Sequence, residues 1–340
     1  MYQYGLYSAE KSHIDAVTSS LQQSLGFFDT EETFREKLGN RLRRLAAEGL
    51  FLGGSSWKYE GWLGSIYSPE RYRIKGRFSK AAFEKECLVE YADTFPIVCG
   101  DFAFYQFPTR VFWQKLFAQV PAPFQFAFKA PEEVTIPRFP KVARYGNRAG
   151  MVNAGFLNGD LMQTQFLDLL RPYRDRVAVI LFEFGAGLQK HFENSAILAA
   201  QLDQFFSALS PEFRFAVEIR TPQFLHEDYF AILRKHKVAH VFNAWSGMPE
   251  LGEQMAMSGS FTAPFTVARA LLRKGRTYEE AVSHFLPYSE TREVNNEVRA
   301  ALRNLLIRAK RRTEPTFIFV NNRLEGFAPG TIAAVIDGME

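Results

Sequence analysis

The sequence predicts an α/β protein, a TIM-barrel-like (β/α)8 barrel with an N-terminal helical extension, and three observations carry that prediction. From Leu50 onward, short apolar β-rich runs alternate with longer helical ones, the pattern of βα units around a parallel sheet. Eight such runs occur over about 290 residues, the number and length that a closed barrel of this kind requires. The ends of these runs also turn polar together, at Asp101, Lys129, Glu183, Glu218 with Arg220, Asn243, Arg269, and Asn321 with Asn322. In a barrel those ends converge on one mouth. An open doubly wound sheet is the competing arrangement.

Residues 1–49 read as the extension and 50–340 as the barrel domain. Asp29 to Glu48 is amphipathic, with Phe34, Leu38, Leu42 and Leu45 at helical spacing, a capping-box pair in Asp29 and Glu32, and Gly49 where a C-terminal cap belongs. The strands are expected at Phe51 to Ser56, Ile97 to Phe102, Phe124 to Lys129, Val177 to Phe184, Phe213 to Ile219, Ala239 to Asn243, Phe261 to Val267 and Thr316 to Val320. Helices are expected at Ser79 to Thr94, Asn153 to Leu170, Glu193 to Leu209, His226 to His236 and Glu290 to Arg312. Pro137 to Gly150, rich in Arg, Gly and Pro, reads as a long loop rather than a domain boundary.

Composition narrows the class. The 340 residues are 47% hydrophobic, 23% charged and 15% aromatic with 34 Phe, which excludes a disordered, collagen-like or disulfide-stapled chain. A net charge of +4 permits an anionic ligand without the clustered charge of a dedicated nucleic-acid binder. Cys87 and Cys99 make no disulfide framework, and no Cys/His cluster has zinc spacing. No signal-peptide pattern or membrane-length apolar run is visible, so a soluble, cytoplasmic protein with no membrane partner is expected.

Strand side chains alternate with period two. Ala216, Glu218 and Arg220 therefore point inward while Val217 and Ile219 face the helices, and the same parity groups Cys99 with Asp101, Gln125 with Lys129, and Val179 with Leu181 and Glu183. Gly53 through Tyr59, with Trp62, Tyr67 and Pro69, then resembles the opening of the YecE-like family of barrel proteins (domain of unknown function 72). Val98 to Tyr105 with Pro108, Phe126 to Pro131, the Glu218-x-Arg220 strand, Arg269, and Phe317 to Asn322 are similar to that family's later motifs, in order, over roughly residues 50 to 338. The resemblance implies a TIM-barrel-like fold and a polar pocket at the strand C-termini, with no reaction to borrow. There are departures. Cys99 and Asp101 stand where the family's second strand usually has Glu and Asn, Ile136 replaces a His, Thr221 to Phe224 lacks the usual Trp, and Glu183 stands where Gln is more typical.

The chemistry read from these residues centres on Glu218 as general base, with Asp101 or Glu183 as the second acid. Arg220, Arg269, Asn321 and Asn322 would clamp an anionic ligand. The bland alternative for Glu218 and Arg220 is an internal ion pair tying strands together. Lys129 is a charge partner for the acids, or a Schiff-base nucleophile if desolvated next to a group that lowers its pKa. Trp57, Tyr59, Trp62, Phe104, Tyr105 and Trp245 follow strand ends, as stacking platforms or as loop anchors. No cofactor is expected, although Glu183 and Asp101 could serve a divalent metal ion. His236 and His240 have i, i+4 spacing, but His240 falls on a strand, so a zinc pair is not expected. The leading expectation is a hydrolase- or isomerase-like enzyme acting on a small polar or anionic metabolite by carboxylate acid/base catalysis. A nucleic-acid binder using Arg144, Arg148, Arg174 and Arg176, and a barrel that binds without turnover, are the alternatives.

Overall fold

A computed structural model describes residues 32–339, and Phe34–Glu340 forms one unit. Each of the eight β-rich segments becomes a strand: β1 Leu50–Gly54, β2 Ile97–Gly100, β3 Gln125–Lys129, β4 Val177–Phe184, β5 Phe215–Ile219, β6 Ala239–Ala244, β7 Thr266–Ala270 and β8 Thr316–Val320. They pair in parallel in chain order, and β8 closes on β1. The open-sheet alternative is thereby excluded. The longer helices are α1 Phe34–Ala47, α2 Lys80–Thr94, α3 Arg110–Phe117, α4 Ser195–Ser207, α5 Glu227–Lys235, α6 Leu251–Ala256, α7 Tyr278–Phe285, α8 Asn296–Arg312 and α9 Ala328–Ile336.

Period two builds two cores. Phe126, Phe128, Val217, Ile219, Ile318 and Val320 join the outer layer beneath the helices, whereas Cys99, Ala127, Leu181, Ala216, Val241 and Phe319 fill the barrel interior. The β1–β2 seam has a single paired position, Gly54 with Val98. Tyr91, on α2, reinforces it: its hydroxyl accepts from Gly54 N at 2.7 Å and donates to Ile97 O at 2.9 Å. A Cβ at Gly53 would lie 2.0 Å from Ile97 O, so only glycine allows this approach. Helix α1 buries Leu38, Leu42 and Leu45 in the outer core and ends at Gly49, whose φ of +83° suits glycine. Asp29 lies outside the described residues.

Three element starts differ from expectation by five residues or more. Strand β7 begins at Thr266 instead of Phe261, because Pro264 cannot donate to a ladder. Phe261 instead packs against Phe242, ring centroids 4.8 Å apart, with the Arg308 guanidinium 3.7 Å above it. The helix expected from Asn153 starts at Gly159, where Asn158 caps Leu161 N, and is broken by a π turn at Gln163–Leu167. Helix α8 starts at Asn296, capped by Asn295, not at Glu290.

Candidate functional site

The shift of β7 decides the geometry of the mouth. Arg269 lies within the strand, in register with Asn243 on β6 and Phe319 on β8, so its side chain enters the barrel rather than the loop beyond. Glu183 and Glu218 are cross-strand neighbours on β4 and β5. Two carboxylates held side by side repel, and cations occupy the space between and around them. Arg220 donates Nε to Glu218 Oε1 and Nη2 to Glu183 Oε2, both at 2.7 Å. Arg269 Nη1 reaches Glu183 Oε2 at 2.9 Å and also donates to Glu218 Oε2. Lys129 Nζ lies 3.0 Å from Glu183 Oε2 and 3.6 Å from Asp101 Oδ1. Three cations thus face two buried carboxylates. The one positive charge in excess is met by Asp101, whose side chain is 51% exposed.

Burial would raise the Glu183 carboxyl, but Arg220, Lys129 and Arg269 overcome it and hold the group well below the usual carboxylate range. Burial would likewise lower Arg269, and Glu218 and its neighbours outweigh that, so the guanidinium stays charged. Three cations thus favour the ionised form of Glu183, against the proton-donor role expected of it. Glu218, expected as the base, is 0% exposed with both oxygens engaged by guanidinium groups. The internal ion-pair alternative describes it. Arg220, Arg269 and Lys129 all meet Glu183 at Oε2. Beneath the cluster, burial pushes the Cys99 thiol up to about 12.

The aromatics expected as platforms do not assemble into one pocket. Trp62 is fully buried, its Nε1 donating to Asn322 Oδ1 at 3.3 Å. Trp57 is buried edge-on to Phe102, and Tyr59 packs on Trp62 with its phenol pushed up to about 12 by burial. Trp245 carries the Arg220 guanidinium 3.7 Å above its ring. Phe104 covers the Lys129 ammonium at 3.8 Å. Only Tyr105 in this group is open, at 60% exposure, with Arg144 at 5.0 Å from its ring centroid. The two asparagines are anchors, not a clamp: Asn321 donates to Ser55 Oγ at 2.6 Å, and buried Asn322 accepts from Ala328 N at 2.7 Å.

The four arginines of the nucleic-acid alternative do not make one surface. Arg174 and Arg176 precede β4, at the N-terminal end of the barrel, and Arg176 is tied to the carbonyls of Phe117, Val120 and Pro121. Arg144 and Arg148 follow β3 and pair with Glu132 and Glu133, each at 2.7 Å. Among the described residues no group of three or more His, Cys, Asp or Glu is arranged to hold a metal ion. His236 pairs with Asp203 at 2.6 Å while His240 meets Tyr229, so the two face different partners. Sequence reasoning missed buried Glu132, which also accepts from Tyr145, and buried Glu325, which accepts from Arg299, Asn295 N and Thr331. An acid directly after the third strand was the available signal for Glu132; Glu325 offered none.

The fold and mouth define a (β/α)8 barrel with an ionic cluster at the strand C-termini. The family described as "Protein of unknown function DUF72" matches residues 51–340, and the chain belongs to it; the YecE-like family is the same family. Among solved structures it is similar to a DUF72 family protein from Thermotoga maritima, with 18% identity, 85% of this chain and 98% of that one covered, and a TM-score of 0.55. It is also similar to one from Enterococcus faecalis, with 16% identity, 84% and 94% covered, and a TM-score of 0.54. At such identity these likenesses speak for the fold. No curated protein matches the chain. No helix among the described residues is long and apolar enough to cross a membrane.

Proposed function

We propose that the mouth is the active site of an enzyme acting on a small metabolite with an anionic group. Lys129 and Arg220 hold the anion, Glu183 Oε1 accepts a hydrogen bond from a neighbouring hydroxyl or amine, and Asp101 exchanges the proton with the substrate. The observation that carries this reading is the charge balance: a buried cluster with one cation in excess is closed only by a half-exposed carboxylate at 3.6 Å. A charge-assisted pair normally sits at about 2.7–2.9 Å, so the fit of Asp101 is loose and an incoming anion can replace it. Asp101 is also the one acid of the cluster that stands half-exposed, within reach of a bound substrate.

The reading is tested by calorimetric titration with inorganic phosphate and acetate at low ionic strength. Lys129→Met should weaken the tighter anion at least tenfold, and Asp101→Asn, which removes the competing carboxylate, should tighten it severalfold. Anion binding that is indifferent to both changes would remove the mouth as the site.

A further inference from the structure

Beside the mouth, between α2 and α3, lies a groove of about 450 Å³, within the roughly 300–1,000 Å³ common for small-ligand pockets. Its floor is apolar: Leu88, Phe102, Phe112 and Leu116 line it, and the rings of Phe102 and Phe112 are 5.4 Å apart. Lys58 and Lys85 stand exposed on its rim. Trp57 forms part of the wall, edge-on to Phe102.

Asp101 links this groove to the ionic cluster. Its side chain lines the groove while its carboxylate faces Lys129. An anion that takes the carboxylate's place on Lys129 can extend its attached body past Asp101 into the groove. We propose that the groove is the second compartment of the mouth site and receives the planar body of an aromatic or heteroaromatic phosphate or carboxylate, packed against Phe102 and Phe112. The inference rests on the function proposed above and adds the substrate class to it.

Calorimetry with inorganic phosphate against phenyl phosphate, and acetate against phenylacetate, tests it. The aryl member of at least one pair should bind tenfold or more tighter than its ringless partner. Gln119→Trp, which fills the groove from its half-buried end, should abolish that gain and leave the ringless anion within twofold. Phe112→Ala, checked for folding by circular dichroism, should shift preference from phenyl to naphthyl phosphate. Equal affinities within both pairs, or a gain that survives Gln119→Trp, overturn the groove while the mouth reading stands. If no ringless anion binds in a manner that Lys129→Met weakens, both readings fall.

Discussion

Glu218 is where a residue's chemistry and its structural cost are easiest to separate. Both of its oxygens are spent on Arg220 and Arg269, and Arg269 is itself 3% exposed with its Nε unpartnered. Removing one member of such a buried pair leaves a charge without compensation, at about 3–5 kcal/mol. Glu218→Gln should therefore lower the unfolding free energy by about 3–5 kcal/mol, read as a lower urea midpoint with an unchanged slope, and Glu218→Gln with Arg269→Met should recover part of the loss. An unchanged midpoint in the single variant would return Glu218 to the list of chemical groups. Strand parity was enough to locate Glu218, Arg220, Glu183, Lys129 and Asp101 at one mouth, because period two is a property of any strand. It could not show that Arg269 reaches both carboxylates from two and three strands away. That contact depends on closure and on a five-residue shift of one strand start, neither of which is written in local pattern.

Elements were legible where a segment's burial is uniform. The run Val177–Phe184 is buried at every position and its expected and observed limits coincide, as they do for Thr316–Val320. Strand β7 was misplaced because Phe261 and Phe265 precede the true strand and Arg269 interrupts it, so apolar content pointed to the wrong segment. The joint between elements that pattern cannot reveal is the β1–β2 seam, where a side chain replaces missing ladder. Tyr91→Phe keeps the ring packed on Phe95, 4.6 Å away, but strands the Gly54 N–H and one lone pair of Ile97 O. A buried donor without a partner costs about 1–3 kcal/mol. The variant should therefore lose roughly that much in a urea titration, and the Gly54 amide should exchange with solvent sooner than the amides of β4. Equal exchange would mean that the ladder alone holds the seam.

At the scale of the whole molecule, buried titratable groups set how stability depends on pH. Burial drives His240 down to about 3, so it is neutral in the folded protein, whereas the unfolded chain takes up its proton near 6.5. Below 6.5 the unfolded state binds more protons, and stability falls as pH is lowered toward 3. Each unit in that window costs about 1.4 kcal/mol, hence about 2 kcal/mol by pH 5. His191 is shifted in the same direction by burial but is largely exposed and adds little. Glu183 gives a second segment. Its folded carboxyl lies well below the unfolded value, so its contribution is complete above about 4.5 and is lost as pH falls further. Urea midpoints between pH 7.5 and 3.5 should therefore decline in two stages, gently from 6.5 and steeply below 4.5. His240→Phe keeps the ring contacts with Tyr229, Phe230 and Phe242 and should flatten the first stage alone. A first stage that persists in this variant would mean that another group, charged only in the unfolded chain, governs the response to mild acid.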